Sequence, residues 1–443
     1  MKNKDLFSRM NEVIASSDPT VEELISSESY RQRSTIALIP SENYVSAQVA
    51  LALASPFTNK YSEGYPHVWK DGALIDKNGR YYQGQENTNK LEKLAIQRAL
   101  ELFTDNPSNY HANVQATSGA PANLAVIGAF LKPGDTLMGL ALDFGGHLTH
   151  GHKVSVTSHY YNAVHYTLNE DGKLDYDAIE KLAEEHKPKL IISGATAYPM
   201  KIDFERFGRI AKKVGAILLA DISHIAGLCV TGEHPHPFPH ADVITSTTHK
   251  ILRGPRAGLI VCKKEYGPQV DKALFPALQG GPHMNTIAAM AIAFKEVLSD
   301  EYKAYAQQVV KNAKALSEKL KEYKFKLIAE GTENHLILID VINNKNGISV
   351  KSASWFAERL ELAGIVTNKN TVPGDAKPWN PSGIRIGTPA VTTLGMKEKE
   401  MEKIAEFIWR IAINAEDDSK LAEVKAEVEL LVDKFAQNSN FII

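Results

Sequence analysis

Short apolar runs recur through the middle of the chain, and helical patterns separate several of them. Most of these runs are apolar nearly throughout rather than alternating, which favours strands buried on both faces of a mostly parallel sheet. The runs lie at 135–140, 190–195, 216–222, 242–247 and 258–264, with amphipathic patterns at 175–186 and 203–215. This βαβ succession predicts an α/β domain.

The two ends of the chain have a more helical pattern. The first forty residues predict helices, and Ser17 or Asp18 followed by Pro19 is typical of a helix N-terminus. Beyond residue 285 the pattern predicts one long helix over about 286–323, a strand over 335–342 and two amphipathic helices. We therefore expect an N-terminal helical arm over 1–55, a large α/β domain over 56–290 and a smaller α+β domain over 291–443.

Composition limits the classes of function. The chain has 443 residues, enough for two or three domains, and its 50 Lys and Arg against 52 Asp and Glu give no basic field for nucleic acid. Two cysteines, Cys229 and Cys262, form neither a disulfide framework nor a thiolate zinc site. No stretch predicts a signal peptide or a membrane span. We expect a cytoplasmic enzyme with no nucleic-acid or membrane partner.

Polar side chains follow several of the predicted strands, at the edge where parallel sheets bind ligands. Asp221 ends one strand and His224 follows it, while Lys250 follows another strand in a Thr-Thr-His-Lys run. Upstream, Ser118 and Gly119 open a predicted helix. An isolated lysine is usually a solvated surface charge, and Asp221 alone fits a turn residue.

Together, however, these groups meet the requirements of pyridoxal phosphate. A lysine amine forms a Schiff base with an aldehyde cofactor, and a carboxylate such as Asp221 keeps the ring nitrogen protonated. A helix N-terminus such as Ser118-Gly119 holds the phosphate, and His147, which follows a third strand, offers a flat neighbour for the ring. The spacing by itself suggests this cofactor without securing it.

The sequence resembles the serine hydroxymethyltransferase (glycine hydroxymethyltransferase) family, whose members are fold-type I pyridoxal-phosphate enzymes. The motifs that carry the resemblance are long, and they occur in the family's order over nearly the whole chain. They are LIPSENYVS (38–46), TNKYSEGYP (58–66), RYYQG (80–84), VQATSGAPAN (114–123), GGHLTHG (145–151), DISHIAGL (221–228), TSTTHKILRGPRAG (245–258), QGGPHMN (279–285), VTNKNTVPGD (366–375) and PSGIRIGTPA (381–390).

The resemblance implies a large domain with a seven-stranded, mostly parallel sheet that binds the cofactor covalently through Lys250. Asp221 would pair with the ring nitrogen, His147 would stack on the ring, and His224 would lie on its phenolic oxygen side. The residues implied to hold the phosphate are Ser118, Gly119 and His249, with Tyr61 and Gly281 reaching it from the partner subunit.

The resemblance also implies transfer of the serine hydroxymethyl carbon to tetrahydrofolate, giving glycine and 5,10-methylenetetrahydrofolate. Arg385 would bind the amino-acid carboxylate beside Ser41 and Tyr82, and Glu63 would be the acid/base at the hydroxymethyl carbon, with Thr247 in the catalytic group. Folate contacts would come from Glu63, Leu142, Gly146 and Leu148. Because the implied sites are shared between subunits, we expect a homodimer or a tetramer built from it.

Several segments depart from the family's pattern. The family connects GYP to RYY almost directly, whereas residues 67–79 intervene here, rich in loop formers. We expect either a surface loop or an element that reshapes the folate entrance or the dimer contact. The remaining departures are QGQE at 83–86, Ala120 with Pro121, Ser223, and Lys377 with Trp379 in a folate-side segment.

Three other functions compete with this interpretation. A metal-dependent hydrolase would use the histidines of two clusters, His147, His150 and His152, and His234, His236 and His240, but their spacing matches no helical zinc motif. A folate-independent β-hydroxyamino-acid aldolase, or a relative using a modified pterin, would share the carbanion chemistry. A binding protein without catalysis is disfavoured because Lys250, Asp221, Arg385 and Glu63 occur together. We expect no metal.

Overall fold

The computed structural model describes residues 3–343, 350–375, 380–437 and 441. Lys377 and Trp379 lie outside the described residues. The helices are α1 Asn3–Ser17, α2 Pro19–Ser34, α3 Ala47–Leu53, α4 Glu86–Phe103, α5 Gly119–Phe130, α6 Val156–Tyr160, α7 Tyr176–His186, α8 Phe204–Val214, α9 Ala226–Thr231, α10 Gly267–Leu274, α11 Met284–Val297, α12 Asp300–Glu322, α13 Ala353–Leu362, α14 Pro389–Thr393, α15 Glu398–Ile413 and α16 Asp418–Ala436.

The strands belong to one large sheet, one smaller sheet and two short pairs. They are β1 Ile36–Ala37, β2 Val68–Lys70, β3 Ala73–Ile75, β4 Tyr110–Asn113, β5 Thr136–Leu140, β6 Asn162–Tyr166, β7 Leu190–Ser193, β8 Ile217–Asp221, β9 Val243–Thr247, β10 Gly258–Lys263, β11 Lys326–Leu327, β12 Leu336–Asp340, β13 Ile365–Val366, β14 Asn368–Asn370 and β15 Gly383–Gly387.

The large sheet has seven strands in the order β4-β10-β9-β8-β7-β5-β6. Neighbours from β9 to β6 are parallel, and only β10 runs antiparallel to its two neighbours. Successive residues of β7 enter different core clusters, since Leu190 and Ile192 pack with α5 and α10 while Ile191 packs with α8. Both faces are therefore covered, which explains why these strands are apolar throughout and confirms the predicted α/β sheet.

A second, antiparallel sheet in the order β11-β12-β15-β14 lies in the C-terminal part. Its core includes Ile337 and Ile384 from the sheet and buried residues of α13, α15 and α16. Ile36 and Leu38 from the N-terminal part join this core, and β1 pairs in parallel with β13. Helix α12 links the two cores, because Val309 packs in the large one and Leu316 in the small one.

The structure confirms most of the predicted elements and corrects one. Asp18 caps α2 by accepting hydrogen bonds from the backbone N–H groups of Thr20 and Val21. The single helix predicted over 286–323 is wrong, because α11 ends at Val297 and Ser299 caps a new helix, α12, by accepting from the Tyr302 N–H. Within the inserted segment 67–79, Val68–Lys70 and Ala73–Ile75 pair as the hairpin β2–β3, so the insertion carries a regular element at the surface.

The hairpin has a physical reason. Asp71 and Gly72 form its two-residue turn with φ values of 50° and 78°, the combination that a tight hairpin requires and that Asp-Gly adopts readily. In the part of the chain that the structure describes, no helix is long and apolar enough to cross a membrane.

Candidate active site

Several of the predicted site residues lie at the carboxyl ends of β8 and β9 and at the beginning of α5. Asp221 is the last residue of β8, Thr247 ends β9, and Lys250 follows three residues later. Gly119 begins α5 so close to β9 that a Cβ atom there would lie 2.8 Å from the Thr247 Cγ2 atom. Glycine at this position therefore brings the helix N-terminus, with Ser118 as its cap residue, against the strand ends.

Asp221 is a buried carboxylate held by four hydrogen bonds. Asn123 Nδ2 and His150 Nε2 donate to Oδ2 at 2.8 and 3.1 Å, and the backbone N–H and hydroxyl of Ser223 donate to Oδ1. Burial opposes ionisation, but the contacts with His150, His147 and Ser223 outweigh it and bring the pKa of Asp221 well below its ordinary value. Ser223, which departs from the family's pattern, thus adds a hydrogen-bond donor to a carboxylate that is ionised at neutral pH.

The two histidines of the GGHLTHG segment have different tasks. The backbone N–H of His147 donates to His150 Nδ1 at 3.2 Å, so the His150 proton is on Nε2, where it reaches Asp221. The backbone N–H of Thr149 donates to His147 Nδ1. Burial lowers the pKa of His147 to about 4, so its ring is neutral and flat beside the carboxylate.

Lys250 lies in a positively charged environment. Burial lowers the pKa of its amine to about 8, Asp221 acts in the opposite direction, and the charges of Arg385 and Arg256 lower it further. A pKa near neutrality gives a substantial fraction of nucleophilic amine. Asn43 fixes the backbone here, because its Nδ2 donates to the Lys250 carbonyl at 3.1 Å and to Tyr305 Oη at 2.8 Å.

Arg385 on β15 is partly buried and forms no ion pair with a carboxylate among the described residues. Its Nε donates to Asn368 Oδ1 at 3.0 Å, and Nη1 donates to the Thr196 carbonyl. Burial lowers the pKa of Arg385 to about 10, which still leaves the group charged at neutral pH. A partly buried cation without a counter-charge can accept an anionic group as its partner.

Thr196 connects Arg385 to the loop that contains Gly146. Its N–H donates to the Gly145 carbonyl at 2.7 Å, and its hydroxyl lies 3.1 Å from the Gly146 carbonyl. The loop also includes the short 3₁₀ turns Leu142–Phe144 and Leu148–His150. Of the three expected folate contacts on this loop, Leu148 is exposed, Leu142 is half-buried and Gly146 is buried.

His224 is buried against His335, with nearly parallel rings whose centroids are 5.6 Å apart. Burial lowers the pKa of His224 well below its ordinary value and that of His335 to about 3, so both rings are neutral. His335 Nδ1 is buried without a hydrogen-bond partner among the described residues. The pair offers neutral polar atoms beside the Lys250 and Arg385 charges.

Ser118 and His249, which are expected to hold the cofactor phosphate, have polar atoms without hydrogen-bond partners among the described residues. The Ser118 side chain makes no capping hydrogen bond to α5. His249 Nδ1 is buried with no partner in the described part of the chain, and burial lowers the pKa of this histidine to about 3. A cavity of about 300 Å³ is lined by His249, Arg256 and Ser41, and Ser118 and Gly119 are not among its lining residues. Unsatisfied donors at a helix N-terminus fit an anionic group such as a phosphate.

Tyr61, Glu63, Tyr82 and Gly281 lie together in a separate, exposed patch. Tyr61 Oη donates to Glu63 Oε1 at 3.3 Å and Tyr82 Oη donates to Oε2 at 3.1 Å. The two tyrosines are 60% and 43% exposed, and a Cβ atom on Gly281 would lie 3.7 Å from Glu63 Cγ. None of these four residues hydrogen-bonds to Lys250, Asp221 or Arg385 among the described contacts.

Neither histidine cluster has the donor arrangement expected of a hydrolase. His147, His150 and Asp221 lie close enough for a metal, but His150 uses both ring nitrogens in hydrogen bonds. In the second cluster His234 Nε2 accepts from the Ile202 N–H and His236 Nδ1 accepts from the Phe238 N–H. These histidines satisfy local backbone groups.

Sequence reasoning missed three residues that shape the site. Asn123 holds Asp221, Asn43 holds the Lys250 backbone, and His335 pairs with His224. Asn123 and Asn43 stand within the family motifs, but each contact spans roughly a hundred residues or more, so spacing alone gave no signal.

Comparisons with known proteins agree over nearly the whole chain. A family model described as serine hydroxymethyltransferase matches residues 14–408. Among curated proteins, the chain is similar to a serine hydroxymethyltransferase of Desulfotalea psychrophila, at 51% identity over 94% of each chain. It is also similar to those of Sorangium cellulosum, at 50% identity over 96% of each, and Paracidovorax citrulli, at 49% identity over 96% of this chain and 98% of the relative.

Proposed function

Because the chain belongs to the serine hydroxymethyltransferase family, we propose that the residues at the ends of β8 and β9 form its catalytic centre. The enzyme is a pyridoxal-phosphate-dependent hydroxymethyltransferase of fold type I, with serine or glycine as substrate and tetrahydrofolate as co-substrate. The observation that supports the assignment most strongly is the Lys250 amine with its lowered pKa, close to ionised Asp221 and to an arginine without a carboxylate partner.

The side chains around Lys250 offer the chemical groups that pyridoxal phosphate requires. Lys250 would carry it covalently, ionised Asp221 would hold the proton on its ring nitrogen, and neutral His147 would lie flat against the ring. Ser118, the Gly119 N–H and the unpartnered His249 Nδ1 would hold its phosphate. When bound, pyridoxal phosphate supplies the electron sink for breaking the Cα–Cβ bond of serine.

Arg385 would bind the serine carboxylate. Its planar guanidinium suits a two-point contact, and an anionic ligand would supply the counter-charge that the described residues do not. Ser41 would lie beside Arg385, and Tyr82, which lies with Glu63 in the separate patch, would complete the subsite across the subunit interface. His224 would lie beside the phenolic oxygen of the cofactor, where a neutral ring can share a hydrogen bond without adding charge.

Glu63 would move the proton at the serine hydroxyl oxygen. Tyr61 and Tyr82 donate to its two carboxylate oxygens and so fix its orientation. Gln85, from the divergent QGQE segment, adds support because its Nε2 donates to the Tyr61 carbonyl at 3.0 Å. Leu142, Gly146 and Leu148 would contact folate on the loop that Thr196 holds.

We propose a homodimer with shared sites, or a tetramer built from it, and the location of the Glu63 patch supports this proposal. Tyr61 and Gly281, the residues proposed to reach the partner's phosphate, lie in this exposed patch with Glu63. We also propose the divisions 1–55, 56–290 and 291–443 and a cytoplasmic location. The two sheets have separate cores, which supports a large and a small domain, with the first half of α12 packed in the large core.

Lys250→Ala tests the cofactor assignment. The variant should lose the visible absorption of covalently bound pyridoxal phosphate while its far-UV circular dichroism stays unchanged. Retained absorption would refute Lys250 as the anchor.

Mixing Lys250→Ala with Glu63→Gln tests the shared site. If Glu63 acts in the partner's site, a mixed dimer has one intact site, and re-equilibrated equal amounts should recover about a quarter of the wild-type activity. No recovery, despite proven subunit exchange, would place Glu63 in the site of its own chain.

A further inference from the structure

The inserted hairpin β2–β3 lies between Glu63 and Tyr82 in the chain, and two side chains of the inserted segment, His67 and Trp69, contact one buried carboxylate, Asp271 of α10. We propose that this hairpin positions Glu63. Hydrogen bonds to Asp271, called the clamp below, hold the hairpin in place. The hairpin in turn fixes how the backbone on its two sides pairs, and this pairing positions Glu63. The inference rests on the proposed role of Glu63 in proton transfer.

The clamp consists of Asp271 and four side-chain donors. His67 Nε2 and Trp69 Nε1 of the inserted segment lie 2.9 and 2.8 Å from Oδ2, and His111 Nε2 and Asn113 Nδ2 lie 2.8 Å from Oδ1. Asp271 is only 2% exposed. Hydrogen bonds to a buried, ionised group are among the strongest in proteins, so the inserted segment is tied firmly to α10 and β4.

The fit of Trp69 depends on the glycine that begins α10. A Cβ atom on Gly267 would lie 2.5 Å from Trp69 Cζ2, so the indole rests directly on the helix backbone. The Tyr65 hydroxyl donates to the Asp271 carbonyl at 2.7 Å and adds a second attachment on the Glu63 side of the hairpin.

The ladder beyond the hairpin connects this clamp to Glu63. The Gly79 N–H donates to the Tyr65 carbonyl at 3.0 Å, and the Tyr81 N–H donates to the Glu63 carbonyl at 3.1 Å. The buried Arg80 guanidinium donates to the carbonyls on either side of Glu63, those of Ser62 at 2.7 Å and Gly64 at 2.6 Å. A shift of the hairpin would move Glu63 and Tyr82 relative to each other.

The His67, His111 and Asp271 side chains also offer nitrogen and oxygen atoms within metal-binding reach of one another. Two further donors, Trp69 and Asn113, already occupy the same carboxylate, and four contacts satisfy its acceptor sites. A hydrogen-bonded clamp accounts for every donor in the cluster, so we assign it that role.

Trp69→Phe in the holoenzyme is the sharpest test, because it removes one N–H and keeps a ring over Gly267. We expect kcat for serine with tetrahydrofolate to fall about tenfold through misplacement of Glu63. Serine affinity, read from the spectral change of the bound cofactor, should stay within about twofold, since Arg385 is untouched. Hydrogen exchange should quicken at the Gly79 and Tyr81 amides.

His67→Gln keeps a donor and should retain more activity than His67→Leu, which loses it. Trp409→Phe is the matched control, because Trp409 packs on Tyr323 in the C-terminal part and its N–H has no hydrogen-bond partner among the described residues. All rates are compared well below the unfolding midpoint of each variant, so a purely structural loss lowers the midpoint without lowering kcat.

Three results would overturn the inference. Unchanged kcat in Trp69→Phe, with Glu63→Gln strongly impaired in the same assay, would show that the clamp does not position Glu63. Unimpaired Glu63→Gln would instead remove the proposed role of Glu63 itself. One zinc ion per chain in the purified holoenzyme, lost in His67→Gln, would replace the hydrogen-bonded clamp with a metal site.

Discussion

Two buried carboxylates, Asp221 and Asp271, have closely similar immediate surroundings. Each contacts an asparagine amide and at least one histidine Nε2, and each accepts four hydrogen bonds. In both, the contacts from neighbouring histidines outweigh burial and bring the carboxyl pKa well below its ordinary value. Donor number therefore does not distinguish a reactive site from a structural one.

The difference lies in the balance of charge around them. Asp221 acts on the charge of Lys250, which the positive charges of Arg385 and Arg256 also reach, and Arg385 has no carboxylate partner among the described residues. That region has excess positive charge, which a phosphate and a substrate carboxylate would neutralise. Asp271 is surrounded by histidine, indole and amide donors, and its hydrogen-bonding is already satisfied. The comparison teaches that unmatched charge, rather than a carboxylate with histidines, marks the reactive region.

Asp221→Asn should have the largest effect on activity. The amide keeps the shape but cannot hold the cofactor's ring proton, so we expect kcat to fall roughly 10³-fold, a loss typical of removing a key electrostatic contact. Steady-state kinetics at saturating cofactor would measure it. A loss of less than about tenfold would erase the contrast with Asp271.

Asp271→Asn should mainly affect stability. Breaking a buried charged cluster should lower the free energy of unfolding by about 3 kcal/mol, measured by denaturant titration. Because the native-state pKa of Asp271 is depressed, its contribution is present above the ordinary value of 3.8 and is lost as the pH falls below it. The free energy of unfolding of the variant should lack this decrease at acidic pH. A stability equal to wild type would contradict the clamp.

Arg385→Lys tests whether the unmatched charge is used for substrate. Lysine keeps the charge but loses the planar two-point contact, so the KM for serine should rise roughly 10- to 100-fold. The KM for tetrahydrofolate serves as the internal control. An unchanged serine KM would mean that another group binds the carboxylate.

The lowered pKa of Lys250 predicts a smaller, pH-dependent effect. Only the neutral amine reacts with the cofactor aldehyde, so its capture by the apoenzyme should speed up about fivefold from pH 7 to pH 8 and then level off. Stopped-flow absorbance would follow the reaction. A rate that keeps rising towards pH 10 would show that burial does not lower this pKa.

Sequence predicted the large sheet well because its strands are apolar on both faces, a pattern that is typical of buried parallel strands. It missed the break between α11 and α12, since the apolar periodicity continues across it, although Ser299 followed by Asp300 and Glu301 is a recognisable helix start. It also missed the hairpin, for which Asp71-Gly72 was the available signal.

For the candidate site, sequence and family resemblance identified the groups with chemistry, but not those that hold them in place. Asn123 reaches Asp221 across 98 residues, and Trp69 reaches Asp271 across 202. Such contacts depend on the order of strands in the sheet and on the docking of the hairpin. Neither is encoded in local spacing.

The most direct test of the assigned reaction is glycine formation from serine by the wild-type holoenzyme, with and without tetrahydrofolate. We expect turnover to depend strongly on tetrahydrofolate and to yield one 5,10-methylenetetrahydrofolate per glycine. Equal turnover without tetrahydrofolate would contradict hydroxymethyl transfer and favour an aldolase built on the same residues.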